Sequence, residues 1–418
     1  MLFYFAKKSM PFSFTRWARW SILNLLLVAT AGVLLRYKIA FSLPFLHQKN
    51  LLHAHSHFAF SGWVSMALCI CLIELLQHYG YHPGKKYNRL LWLAQFFNYG
   101  MLLSFPFGGY TPIAIGFSTG SIVFSYLFAF HFYKDSRATQ MPAWLRQWFL
   151  AALAFYAISS LGAFNLAFLM AEHSSSQEWY IGSVYFFLHF QYNGWFLFTL
   201  IGLFLFYIQL KGGLDQFNHK TIFLPMVISC IPAFFLSALW MRLPLWCYLL
   251  AFLAVILQWL ALYNFVRQFR GRGPFKMHTE NKIVNRLWLL VLVAFFLKML
   301  LQSFSLVPAL TYFAFGFRPI VIGYLHLVLL GIVTLFLLGY LISREMLQVD
   351  HQVAKTGLII FTLSVILNEV VLMLQGVFAL KEITLQGSRE MLLVIAIGLF
   401  TGLALLLKGQ WGPKRPTI

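Results

Sequence analysis

The chain has 418 residues, of which 61% are hydrophobic and only 10% are charged, and its mean hydropathy is +0.76. This much apolar side chain exceeds what the core of a water-soluble protein can bury, so the composition indicates an integral membrane protein. The formal charge of +20 comes largely from Lys and Arg in short links between apolar runs. Such residues orient membrane helices, so the charge does not indicate a nucleic-acid partner.

About twelve apolar runs of roughly 20 residues follow one another along the chain, and each is long enough to cross a lipid bilayer as a helix. The predicted spans are 18–38, 52–77, 88–106, 111–133, 146–171, 180–209, 220–240, 245–267, 284–306, 319–343, 356–380 and 390–408. The predicted fold is therefore an all-α membrane protein, with residues 1–418 in a single polytopic domain. All four cysteines fall in or beside these spans without a metal-type spacing, so they are predicted to be buried small hydrophobes.

Basic links alternate with links that carry few positive charges. The links at 79–89 and 267–286 and both chain ends are rich in Lys and Arg, whereas 107–112 is uncharged and 172–178 is acidic. Because Lys and Arg concentrate on the cytoplasmic side, both termini are predicted to be cytoplasmic. The expected location is a bacterial inner, or plasma, membrane.

One short motif occurs three times. The copies are His57-Phe-Ala-Phe-Ser-Gly62-Trp63, His189-Phe-Gln-Tyr-Asn-Gly194-Trp195 and the weaker His326-Leu-Val-Leu-Leu-Gly331-Ile332. Each has a histidine, four residues, a glycine and a bulky residue, and the copies lie about 130 to 140 residues apart. This interval holds about four predicted helices, so the chain is interpreted as three diverged four-helix repeats at about 18–133, 146–267 and 284–408.

The three motif histidines are predicted to share one layer of the membrane. The second, sixth and tenth spans enter from the outer side, and their histidines lie about 9–14 Å below that interface at about 1.5 Å per residue. A single membrane histidine is most simply hydrogen-bonded to a neighbouring helix. Three histidines with one motif, one depth and one place in the repeat instead favour haem or metal ligation by at least two of them.

The second span carries two further histidines. His53 and His57 lie four residues apart on one helical face, about 6 Å from each other, whereas His55 points away. One of the pair is expected to ligate while the other hydrogen-bonds a haem propionate or a second metal. The shared motif favours His57 as the ligand, and the position at the helix entrance favours His53 as its companion on the outer side.

With these residues the chain resembles the main subunit of the heme-copper oxidase superfamily. That family has about twelve helices with both ends inside, and a low-spin haem lies between histidines of its second and tenth helices. The resemblance implies that His57, or His53, and His326 are axial ligands of a b-type haem. It also implies that His189 is the remnant of a copper or non-haem iron site, and that Arg318 and Arg389 bind haem propionates.

The chain departs from this family at the second metal. The family has two more histidine ligands on its seventh helix, but the run from Phe223 to Trp240 contains none. Where the family has His-x-His on the tenth helix, this chain has Tyr324-Leu-His326. Tyrosinate can ligate haem iron, but Tyr324 is expected to be a packing or interfacial tyrosine. A single imidazole does not make a second-metal site, so stoichiometric copper is not expected.

The predicted function is that of a membrane haem protein with a bis-histidine haem. The haem would transfer electrons from a donor protein or quinol, or would bind or reduce a diatomic gas such as O2 or NO. Whether the protein is an oxidoreductase stays open, because the second-metal site is incomplete. One alternative is a nitric-oxide-responsive haem and copper membrane protein.

A second alternative is a secondary transporter that uses Lys298 and Glu369. Both residues fall in the outer half of their predicted spans, the ninth and the eleventh. An unpaired charge at that depth would cost several kcal/mol. The two side chains are therefore expected either to pair with each other or, in the case of Lys298, to reach the outer surface along its flexible stem.

The predicted topology can be tested with protease accessibility. Peptide tags at both termini should be protected from protease added outside intact cells, because both ends are expected to be cytoplasmic. A tag inserted within 173–178 should be cleaved in the same cells. Cleavage of either terminal tag would reverse the second, sixth and tenth helices and would contradict the predicted depth of the histidines.

Overall fold

The computed structural model describes residues 12–214, 217–270, 281–307, 310–311, 317–381, 383 and 385–411. All regular secondary structure within these ranges is helical. The principal helices are α1 (Phe14–Ala40), α2 (Gln48–His78), α3 (Gly84–Gly108), α4 (Pro112–Arg137), α5 (Ala143–Ala171), α6 (Gln177–Leu210), α7 (Lys220–Cys230), α8 (Leu245–Phe269), α9 (Lys282–Phe304), α10 (Arg318–Ser343), α11 (Gln352–Leu380) and α12 (Ser388–Lys408). In the described ranges, eleven of these helices are long and apolar enough to cross a bilayer, which confirms an all-α membrane protein.

The seventh apolar run differs from the continuous span predicted at 220–240. Helix α7 has only 11 residues, and a 3-10 helix follows it at Pro232–Ser237. Proline has no backbone N–H and its ring clashes with the preceding turn, so Pro232 ends the α-helix. At about 1.5 Å per residue, α7 is about 17 Å long, roughly half of the hydrocarbon thickness. The seventh run is therefore a broken segment.

The chain divides into two compact units. Unit 1 comprises Met1–Ala31 and Phe45–Met141, and unit 2 comprises Gly32–Pro44 and Pro142–Ile418. In unit 1, α2 packs mainly against α3. Ala54 of α2, Met101 and Phe105 of α3 and Ala114 of α4 form a small buried cluster there. In unit 2 the most extensive helix–helix contacts are those of α5 with α6, α7 with α8, α9 with α10 and α11 with α12.

Three helices are more buried than all the other membrane-length helices. Over their most apolar stretch, α2 is 83% buried, α6 is 78% buried and α10 is 56% buried, whereas no other such helix exceeds 44%. These are the second helices of the three predicted repeats, and they carry the three motif histidines. All four cysteines are buried, as predicted.

Small residues bring α11 and α12 into backbone contact. A Cβ atom added at Gly402 would lie 2.5 Å from the backbone nitrogen of Phe361 and 2.8 Å from the carbonyl oxygen of Gly357. Gly398 similarly faces the Ser364 hydroxyl. Membrane helices associate through close van der Waals packing, because lipid removes the hydrophobic driving force between them. These glycines therefore allow the close approach of α11 and α12.

A leucine at Gly402 should destabilise the protein. The new side chain meets backbone that cannot move aside, so we expect a loss of about 1–3 kcal/mol or more. The measurement is the midpoint of thermal or denaturant unfolding of the purified protein in detergent. Gly116→Leu is the matched control, since an added Cβ there meets nothing within 4 Å. Equal losses in the two variants would contradict close packing at Gly402.

Candidate functional site

The three motif histidines occupy the same structural position. In each of α2, α6 and α10 the first α-helical part ends at the histidine, and a π-helical segment follows directly. These segments are Phe58–Ser65, Phe190–Phe196 and Leu327–Thr334. Each contains the motif glycine and the bulky residue after it. A π-helical turn is wider than an α-helical turn and often occurs at functional sites.

The motif histidines are the tenth, thirteenth and ninth residues of α2, α6 and α10. Because α2 begins at Gln48 and α6 at Gln177, both helices start before the predicted spans 52–77 and 180–209. His57 and His189 are thus further along their helices than predicted, whereas α10 begins within one residue of its predicted span. Their common layer in a bilayer stays a prediction.

Polar side chains of α1 and α3 satisfy the backbone of the π-segment in unit 1. The Asn24 amide donates to the Gly62 carbonyl at 2.6 Å and to the Gln95 side chain at 2.8 Å. The Asn98 amide donates to the Ser61 carbonyl at 3.3 Å. Asn24, Gln95 and Asn98 are all buried. None of the three is among the predicted site residues. An amide in an otherwise apolar span is nevertheless a usable signal of a buried hydrogen bond, because a buried amide needs a partner.

The motif glycines have different surroundings. An added Cβ at Gly194 would lie 2.4 Å from the Phe155 Cβ of α5, so close helix packing requires glycine there. At Gly62 the nearest atoms belong to the Phe58 ring of the same helix. At Gly331 the nearest atom is the Ala294 Cβ at 3.4 Å, an ordinary contact. Helix packing thus accounts for Gly194 most directly.

His57 is held by two aromatic residues in unit 1. Its ring stacks on Phe105, with 4.7 Å between ring centres and 5° between planes. Its Nε2 atom lies 3.2 Å from the Tyr110 hydroxyl, within hydrogen-bonding distance. Tyr110 lies in the short, uncharged link between α3 and α4 and was not among the predicted site residues. The stacking fixes the plane of the His57 ring.

His53 lies on the same helical face as His57, as predicted. The two ring centres are 6.4 Å apart, and the His53 ring lies edge-on to Tyr110 at 4.7 Å. The His53 Nε2 atom is buried and has no hydrogen-bond partner among the described residues. His55 points elsewhere and donates from Nδ1 to the Val28 carbonyl at 3.0 Å. His53 therefore carries a nitrogen that is open for a ligand.

His189 is completely buried in unit 2, and both of its ring nitrogens are engaged. Its Nε2–H donates to the Cys230 carbonyl at 2.8 Å, at the point where α7 ends. Its Nδ1 accepts from the Asn193 amide at 3.2 Å. This pattern fixes the tautomer and gives the broken end of α7 a hydrogen-bond donor.

His326 has one ring nitrogen tied to its own helix. Its Nδ1–H donates to the Ile322 carbonyl at 2.8 Å, which places the lone pair of the neutral ring on Nε2. Ligating histidines usually donate their other N–H to a carbonyl or carboxylate in this way. Nearby on α10, the Tyr324 ring contacts Tyr192 edge-on at 6.2 Å, in agreement with a packing role.

Both expectations for Lys298 are wrong. The side chain is only 3% exposed, so it does not reach the surface, and it forms no ion pair with Glu369. One Glu369 oxygen accepts from the Asn368 amide at 3.0 Å, and the other is buried without a partner in the described part of the chain. Lys298 lies on α9 and Glu369 on α11, and helix packing directs them to different neighbours.

The two arginines predicted to bind propionates are exposed at helix starts. Arg318 is the first residue of α10, and Arg389 is the second residue of α12. The predicted propionate contacts stay a prediction.

The available donors fit single-imidazole ligation better than a larger metal centre. In the described residues, no three His, Cys, Asp or Glu side chains lie close enough to hold one metal ion. A haem takes one imidazole from each side, whereas a copper or zinc centre needs three or four ligands. The open Nε2 of His53 and the Nδ1-anchored ring of His326 fit the first requirement.

Neither protein-family models nor curated proteins gave a match to the sequence. The assignment of function therefore depends on the residues and contacts described above.

Proposed function

We propose that the protein is a membrane haem protein, in which His57 and His326 are axial ligands of a b-type haem. The haem serves electron transfer from a donor protein or quinol, or the binding of a diatomic gas. We place this activity in a bacterial inner membrane. The observation that carries the proposal is the common position of the three motif histidines, each directly before a π-segment in one of the three most buried long helices.

The surroundings of His326 support ligation. Donation from Nδ1 to the Ile322 carbonyl fixes both the tautomer and the orientation of the ring. It also makes the ring a stronger donor through Nε2, as it does in other histidine-ligated metal sites.

The surroundings of His57 support ligation in a different way. Stacking on Phe105 orders the ring before any ligand binds. The Tyr110 hydroxyl near Nε2 is a neutral partner on a short link, so it can yield that nitrogen to iron. His53 stays the alternative ligand on this helix, because its buried Nε2 has no partner in the described chain.

A haem held by His57 and His326 would supply one-electron transfer or gas binding. The residues around the histidines hold the rings and exclude water. His189 has a different role in this proposal. Both of its nitrogens are engaged, so it supports the broken end of α7 and does not ligate.

One observation favours a secondary transporter as the second candidate. Transporter sites often lie at broken membrane helices, and α7 breaks at Cys230, next to His189 in unit 2. The buried Lys298 lies in the same unit. A visible spectrum separates the two candidates, since a transporter should be colourless.

Variants of the axial ligands test the haem proposal. The reduced protein should show the sharp paired visible bands of a six-coordinate low-spin haem, because two imidazoles give a strong axial field. His57→Ala and His326→Ala should each give a high-spin spectrum with new carbon monoxide binding, or lose haem. The measurement is the visible spectrum, with haem content per chain.

His189→Ala is the control, because its spectrum should change little even if stability falls. A changed spectrum in His53→Ala but not in His57→Ala would show that His53, and not His57, is the ligand on the second helix. If none of the four variants alters the spectrum, the haem proposal is wrong.

The proposal also predicts low copper content. Both nitrogens of His189 are occupied by Cys230 and Asn193, so no imidazole there is open to a second metal. Metal analysis of the purified protein should give well below one copper per chain. One firmly bound copper, lost in His189→Ala, would contradict this prediction.

A further inference from the structure

The first half of α3 carries a row of exposed side chains on one flank. Lys85, Arg89, Trp92 and Phe96 are spaced at i, i+4, i+7 and i+11, and all four are exposed. At about 100° per residue they lie about 40° to 100° around the helix from Asn88, all on the same side of it. The two cations come first, and the two aromatic side chains follow about 5 Å and about 10 Å beyond Arg89 along the helix axis. The row is therefore charged at one end and apolar at the other.

Helix α1 adds a third cation beside this row, within the same unit. The Asn88 side-chain oxygen accepts a hydrogen bond from Nη2 of Arg16 at 3.1 Å and another from the Trp17 indole at 3.0 Å. The Trp92 ring centre lies 5.0 Å from that of Trp17 and 5.5 Å from that of Trp20. These contacts join the first turns of α1 to α3 and fix the Arg16 guanidinium next to the aromatic cluster.

The three cations have no carboxylate partner in the described ranges. Arg16, Lys85 and Arg89 form no ion pair there, whereas the neighbouring Lys86 pairs with Asp135 of α4. Lys and Arg near a cytoplasmic helix end are expected from the charge rule of membrane topology, but that rule requires only positive charge. It does not account for a guanidinium that a side-chain amide holds beside an exposed indole. This arrangement instead has the features of a binding site for an anion with an apolar part.

We propose that this flank of α1 and α3, at the predicted cytoplasmic end of both helices, binds one anionic phospholipid. Guanidinium groups bind phosphate through charge-assisted hydrogen bonds, so Arg16 and Arg89 hold the phosphate, and Lys85 adds charge that favours an anionic headgroup. Trp92 and Phe96 are 44% and 61% exposed and contact the upper part of an acyl chain. A lipid fits the row better than free phosphate does, because only a ligand with acyl chains uses its apolar end. The site does not depend on the haem.

Native mass spectrometry of the full chain measures this binding. Protein purified in detergent should retain one molecule of added phosphatidylglycerol, and should bind it about tenfold or more tightly than phosphatidylcholine with the same acyl chains. Phosphatidylglycerol should also raise the melting temperature in a saturable way, since a ligand that binds only the folded state stabilises it. Inorganic phosphate of equal ionic strength should not. An equal rise with phosphate alone would identify a site for the free anion and would overturn the lipid proposal.

The double variant Lys85→Gln, Arg89→Gln tests the row itself, because both side chains are exposed and their loss should not unfold the protein. It should bind phosphatidylglycerol about tenfold more weakly or worse and lose the preference over phosphatidylcholine. Arg16→Gln should act in the same direction. The matched control is Lys134→Gln, Arg137→Gln, which removes the same charge from exposed positions at the end of α4 and should keep the preference. Equal binding of the two lipids by the wild type, or an equal loss in the control, would overturn the proposal.

Discussion

The need to satisfy every backbone polar group inside a bilayer governs this structure. Apolar spans become helices because a helix pairs its own N–H and C=O groups. The π-segments of α2, α6 and α10 depart from regular pairing, and they lie in the most buried of the long helices. In unit 1, Asn24 and Asn98 donate to carbonyls of the π-segment. In unit 2, His189 donates to the last carbonyl of α7. Irregular backbone is thus accompanied by a buried donor.

The same constraint applies to charge, and the two units meet it differently. Lys86 and Asp135 form an ion pair, to which the Tyr87 hydroxyl adds a hydrogen bond at 2.7 Å. Lys298 instead borders a small cavity of mostly apolar side chains, with Tyr192 and Asn193 as polar neighbours. Glu369 lies within the same unit and has one oxygen without a partner in the described part of the chain. A buried lysine of this kind needs either a neutralising partner or the loss of its proton.

Much of the fold follows from the sequence, because apolar length and charged links determine membrane helices directly. The repeated sequence motif predicts equivalent positions for His57, His189 and His326, and each of them lies directly before a π-segment. Pro232 in the sequence indicates an interruption of the seventh run, although the hydrophobicity of 220–240 predicts one span. The surroundings of Lys298, Tyr110 and Asn193 could not be predicted. They depend on helix rotation and tilt, which local pattern does not specify.

The lengths of α2 and α6 have a consequence for the match between protein and bilayer. The two helices have 31 and 34 residues, whereas about 20 residues cross the hydrocarbon layer. Such helices either tilt or project beyond the apolar layer. The middle of each helix is held by packing and by its π-segment. The excess length is therefore accommodated at the helix ends. Bilayer thickness therefore acts mainly on the ends of these helices, and His57 and His189, next to the packed middle, are shielded from differences between lipids.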